Sequence, residues 1–118
     1  MADLCSVIQR CLIINYNSGI STESMELRKA AHRTFDKHMK ILDGAIIDLS
    51  QIDLLDKYVI EDVYQLYRTY QMLVRKVVIC GCDIADIITF VDYSSSNIKD
   101  ISFSRDVSQA LSVIKDVK

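Results

Sequence analysis

A chain of 118 residues, 50% hydrophobic and 25% charged, is long enough to bury a core without staples and is ordinary for a globular protein. Its formal charge of -2 and pI near 5.6 argue against nucleic acid as the main partner, which would call for a basic surface, and no Lys/Arg cluster supplies one locally. No apolar run approaches the ~20 residues that span a bilayer. The start MADLCSVIQR has no basic region leading into an apolar one, so neither membrane insertion nor a secretory signal is expected, and the expected location is cytoplasmic.

There is no Pro, no repeat and no low-complexity block, so residues 1–118 read as a single domain. Leu4 to Arg10 alternates loosely and Cys11 to Tyr16 is a second apolar, β-branched run, which together suggest an opening hairpin although Gln9-Arg10 has no strong turn signature. Asn17-Ser18-Gly19 marks a turn. Ser21 is placed as the N-cap of a helix whose apolar stripe is Leu27, Ala31, Phe35, Met39 and Leu42, and Asp43-Gly44 ends it with Gly44 in the left-handed C-cap position. His32 and His38 have no ligand-like spacing and read as surface or boundary residues.

Ala45 to Leu49 is a short strand buried on both faces. It leads through the turn 50–55 into a long helix from about Asp56 to Arg75, capped by Asp56, with Ile60, Val63, Tyr64, Tyr67, Tyr70 and Val74 at helical spacing. Tyr58, Tyr64, Tyr67 and Tyr70 read either as boundary rings with their hydroxyls in water or as a protein-binding patch. Lys76 to Cys80 repeats the strand pattern, and Gly81-Cys82-Asp83 turns into a short helix capped by Asp83, with Ile84, Ile87, Ile88 and Val91 inward. After an exposed loop at Ser94 to Asn97, Ile98 to Phe103 is a last strand. Ser104 caps a final helix whose inward residues are Val107, Ala110, Leu111 and Ile114. Strands alternating with helices imply an α/β fold with a mixed, mostly parallel sheet, an initial antiparallel pair and right-handed crossovers.

The four cysteines read as buried, reduced thiols, with Cys82 the one expected to be exposed and reactive. Cys80-Gly-Cys82 lacks zinc-ligand spacing, and no metal or other cofactor is expected. No Ser/His/Asp set is present, and three glycines could hardly build a phosphate-binding or dinucleotide loop. Asp53 and Asp56 read as turn and cap residues. The expectation is a binding module and not an enzyme, with its function at the junction between the strand at 45–49 and the following helix, where free backbone N–H groups face solvent.

The run GAIIDLSQIDLLDKYVIEDV (44–63), followed by KVVICGCDIADIITFVDY (76–93), resembles the central signature of the STAS domain, the fold of anti-sigma factor antagonists. The likeness extends over nearly the whole chain to SRDVSQALSVIK (104–115), and the spacing is most similar to the stressosome scaffold subunits of that family. It implies a STAS-like sandwich with helices packed mainly on one face. It also implies a non-enzymatic signalling module whose partners are an anti-sigma factor or switch kinase and other STAS proteins, with homo- or hetero-oligomers in view. Two other readings follow from the same likeness: an accessory subunit of a membrane lipid transporter, or a nucleotide-binding STAS module.

The family's phosphorylated Ser or Thr follows the Asp that opens the second helix; Lys57 stands at that position here, and Cys80 stands where stressosome subunits carry a second acceptor. Neither side chain has a hydroxyl. A phosphate at a helix start adds about -1.5 to -2 charges, whereas Lys57 places a fixed positive charge there, a mildly unfavourable position of ~0.3–1 kcal/mol if exposed. The predicted contact surface comprises Asp53, Asp56, Lys57, Tyr58, Glu61 and Asp62 with Cys80, Cys82 and Asp83 beside them, and with Lys57 at its centre it should prefer an acidic partner.

Overall fold

The structure, a computed structural model, describes residues 4–16, 21–52, 56–93 and 101–116. Five strands, β1 (Cys5–Ile8), β2 (Cys11–Asn15), β3 (Gly44–Asp48), β4 (Lys76–Cys80) and β5 (Ser102–Ser104), form one sheet in the order β1-β2-β3-β4-β5. Pairing is antiparallel between β1 and β2 and parallel from β2 onward. The helices are α1 (Ser21–His38), α2 (Lys57–Gln71), α3 (Ile84–Tyr93) and α4 (Val107–Lys115).

Strand alternation divides the apolar residues between two faces. Leu12, Ile14, Ala45, Ile47, Val77 and Ile79 pack against Leu27, Ala31 and Phe35 of α1, the buried side of α2, and Phe90 of α3. Cys11, Ile13, Ile46, Val78 and Cys80 meet Ala110 and Ile114 of α4 on the other face. Three helices therefore cover one face and a single helix the other, the one-sided sandwich expected. Because every strand from β2 to β5 is parallel, the starts of all four helices lie at the carboxyl edge of the sheet and their ends at the amino edge.

The opening hairpin is as expected, and several other expectations are corrected. Gln9 and Arg10 do form the β1–β2 turn, in the left-handed region with φ of 48° and 68°, so a two-residue hairpin closes without Asn or Gly. Ser21 is already helical, and α1 ends at His38, before Leu42. Gly44 caps nothing: it opens β3 at ordinary φ, and its lack of a side chain admits α4, since a Cβ there would lie 2.7 Å from Ile114 Cγ2 and 2.9 Å from the Lys76 carbonyl oxygen. On α2, Tyr67 and Tyr70 are fully in the core beside Leu66, Tyr64 is half-buried, and Tyr58 alone of the four stands well out, so the phenols make no shared patch. On α3, Phe90 is the buried anchor, stacked edge-on against Phe103 at 5.8 Å, while Ile84 and Ile88 face outward with 77% and 55% of their surface exposed. Ser104 belongs to β5, and Asp106 caps α4 by accepting from the Gln109 N–H at 2.8 Å. The turn at 17–19, the loop at 94–97 and the first part of the strand expected at 98–103 lie outside the described residues.

Candidate functional site

Beyond Asp48 the ladder continues for one residue, Leu49 N–H donating to the Cys80 carbonyl at 2.8 Å. The chain then leaves the sheet through a tight turn in which Asp48 Oδ1 accepts from Ser50 N–H at 2.9 Å. Gly81 lies directly against that turn. It holds φ at +84°, and a Cβ on it would sit 2.5 Å from Ser50 N and 2.8 Å from Asp48 Oδ1. The exits of β3 and β4 are thus locked together through a residue that only glycine can supply.

Asp56 Oδ1 accepts from Val59 N–H at 3.0 Å, the capping role expected, which leaves Lys57 as the first helical residue of α2. Lys57, Tyr58 and Glu61 are exposed, Tyr58 by 74%. Asp62 faces inward: its carboxylate accepts from the Tyr16 hydroxyl at 2.7 Å and from the Arg28 guanidinium, an arrangement that ties β2, α1 and α2 together. Burial and the neighbouring Asp62 raise the Tyr16 phenol well above its ordinary value. Asp62 is therefore a joint beneath the surface, not a residue offered to a partner. Asp53 lies outside the described residues.

Asp83 caps α3, Oδ1 accepting from Asp86 N–H at 2.8 Å. Cys80 is fully buried on the α4 face, and burial, then the charge of Asp48 and a hydrogen bond to it, pushes its thiol up to about 12. It lies under the junction and cannot touch a partner. Cys82, expected to be exposed and reactive, is half-buried; burial first, then Asp86, Asp83 and Asp48, pushes it to about 12, so at neutral pH it is a protonated, weakly nucleophilic thiol.

Between the starts of α3 and α4 the surface opens into a groove of about 670 Å³, lined by Cys82, Ile84, Ile87, Phe103 and Arg105 among others. Sequence reasoning missed this feature, because it exists only where two chain segments, 82–87 and 103–109, come together. The outward turn of Ile84 is what leaves it apolar. Among the described residues no group of three or more His, Cys, Asp or Glu side chains is placed to hold a metal ion.

This architecture is that of the STAS fold, the likeness already visible in the sequence. A Ser-to-Glu variant of RsbS from Moorella thermoacetica superimposes with a TM-score of 0.73 at 13% identity, covering 96% of both chains. A chain from the molecular architecture of the stressosome, described as a signal integration and transduction hub, gives 0.76 at 14% identity over 95% of this chain and 96% of that one. The anti-sigma factor antagonist SpoIIAA in its unphosphorylated form gives 0.67 at 8% identity over 97% and 96%. At these identities the likeness is one of fold. No family model matches the sequence, and no curated protein matches it either.

Proposed function

We propose that the chain works as one domain, residues 1–118, and is a non-enzymatic interaction module of the sigma-factor regulatory or stressosome type, in which Lys57 replaces the phospho-acceptor. The observation that carries this reading is the β3–α2 junction. On a fold shared with RsbS and SpoIIAA, the first residue of α2 is an exposed lysine next to an exposed tyrosine, with Asp56 already committed to the cap. A hydroxyl there would gain a charge on phosphorylation and lose it again. Lys57 holds a constant positive charge instead, so the contact assigned to Lys57, Tyr58 and Glu61, together with Asp53 and Asp83, does not switch with phosphorylation. Its partner is an acidic protein surface, of an anti-sigma factor, a switch kinase or another STAS protein.

The test uses the purified chain with switch kinases and STAS proteins of the cell it comes from, with and without ATP. Intact mass is expected to stay unchanged after incubation with kinase and ATP, and binding to be unaffected by ATP. Lys57→Glu is expected to weaken binding at least tenfold, and Lys57→Ser to make binding respond to ATP. A phosphate gained by the unmodified chain between Ser50 and Asp62, or binding indifferent to Lys57→Glu, would overturn the reading.

A further inference from the structure

The helices that follow parallel strands all point the same way; Asp56, Asp83 and Asp106 cap the starts of α2, α3 and α4, and bases stand in the last turns of α1, α2 and α4, as the helix dipole favours, whereas the last turn of α3 carries none. Summed over the described residues, this local preference makes the carboxyl edge acidic and leaves the amino edge weakly basic. At the carboxyl edge stand Asp56, Glu61, Asp83, Asp86 and Asp106, against Lys57 and Arg105. At the amino edge stand Arg10, Lys37, Lys40, Arg75, Lys76 and Lys115 against Asp36, Asp43, Asp92 and Asp116, Asp43 being paired with Arg10 at 3.0 Å.

Each edge also exposes apolar surface. At the amino edge, the turn that leads into β4 carries Met72 and Leu73, exposed by 86% and 50%. The neighbouring connection adds Met39 and Ile41, at 56% and 45%, and the two are joined where Arg75 N–H donates to the Asp43 carbonyl at 3.1 Å. At the carboxyl edge the apolar surface is the groove between α3 and α4, with Ile84 and Ile87 on one wall, Phe103 and Arg105 on the other, and Asp83 and Asp106 at the two helix starts. The protrusion is apolar with a basic surround, and the groove is apolar with an acidic one. They sit at opposite ends of β4, so no copy can fill its own groove.

We propose that the groove is the receiving half, and the Met72–Leu73 turn the inserting half, of a head-to-tail contact between two copies of this chain. It goes beyond the reading above: the groove meets that surface at Asp83, but its acidic rim takes a basic turn of a second copy, whereas the contact at Lys57 takes an acidic partner. Complementary charge selects a copy of this chain over an unrelated partner: Arg75 and Lys76 flank the turn and face Asp83, Asp86 and Asp106 across the contact. Apolar burial of Met72 and Leu73 supplies the attraction, and the charges set its direction. Such a contact is heterologous: each copy keeps one free half, so association continues into a ring or an open chain and does not stop at a symmetric dimer.

Light scattering after size exclusion, over a range of concentrations at low and high salt, tests this on the full chain. The unmodified chain is expected to exceed monomer mass as concentration rises, and to do so less at high salt. Met72→Glu removes the protrusion and leaves the groove; Ile84→Lys closes the groove and leaves the protrusion. Both positions are more than three-quarters exposed, so both variants fold. Each alone is expected to stay monomeric, and an equimolar mixture to give a species of twice the monomer mass and nothing larger. An unmodified chain that is monomeric throughout, either variant self-associating alone, or a mixture no heavier than its components would overturn the proposal. Lys57 is not a groove residue, so Lys57→Glu in both variants is expected to leave the mixed dimer intact. Failure of the surface at Lys57 and failure of the head-to-tail contact are thereby read separately.

Discussion

Gly81 joins the two strand exits by having no side chain. With φ at +84° and Ser50 N only 2.5 Å from where a Cβ would stand, Gly81→Ala must both strain its own backbone and push the β3–α2 turn away. The expected cost is ~1–3 kcal/mol, read from urea denaturation, with a loss of order at Ser50 in amide exchange; an unchanged midpoint would mean that the two exits are not coupled. The sequence marks Gly81 as a turn residue and Asp56 and Asp83 as caps, because those roles depend only on neighbours along the chain. It places Cys82 wrongly because burial, the first cause of its raised value, arises only on folding, which also brings Asp48 to join its chain neighbours Asp86 and Asp83. Ser104 is misplaced as a cap for a similar reason: with Asp106 two residues on, either side chain can cap a helix, and strand pairing with Cys80 draws Ser104 into the sheet.

The hairpin that starts the sheet is held by two residues in a conformation neither prefers. Left-handed backbone is unfavourable for side chains other than Gly and Asn, and a two-residue turn with both φ values positive favours Asn-Gly. Changing Gln9→Asn together with Arg10→Gly removes that strain. The change also removes an ion pair between Arg10 and Asp43 whose side chains are 61% and 42% exposed, a contact of little net value in water. A net gain of ~0.5–1 kcal/mol is expected from unfolding measurements; a loss would show that the Arg10–Asp43 pair anchors the turn after all. The same absence of a turn signature is why the hairpin is only weakly legible in the sequence. Helix α2 is legible because its apolar stripe is narrow. Helix α3 is apolar around most of its circumference, so spacing alone leaves its inward face undecided, and contact with Phe103 settles it in favour of Phe90 over Ile84 and Ile88.

The alternation of strand and helix, and hence the parallel pairing of the strands, can be read along the chain; the sheet order, the groove, the charge of the two edges and the environment of the buried thiols exist only in the assembled molecule. That environment has a consequence for stability. Cys5, Cys80 and Cys82 are pushed from 9.0 to about 12, and Tyr70 from 10.0 to about 12, chiefly by burial, with Cys11 and Tyr16 moved in the same direction. Each of these groups is neutral when protonated, so a raised value means that the fold favours the proton-bound form. Below pH 9 both folded and unfolded chains hold these protons, and stability does not depend on them. Above it the unfolded chain releases protons that the folded chain keeps, the unfolded state binds fewer, and stability falls as pH rises until about 12. The melting temperature is therefore expected to be level with respect to these groups up to pH 9 and to decline beyond it. Cys82→Ala isolates one contribution, because the remaining titrating groups are common to both proteins and largely cancel from the comparison. At a half-buried position the change costs little packing, and the decline between pH 9 and 12 is expected to be shallower in the variant. Parallel curves would mean that the Cys82 thiol ionises as freely in the fold as in the open chain, and that the acids around the groove exert no field on it.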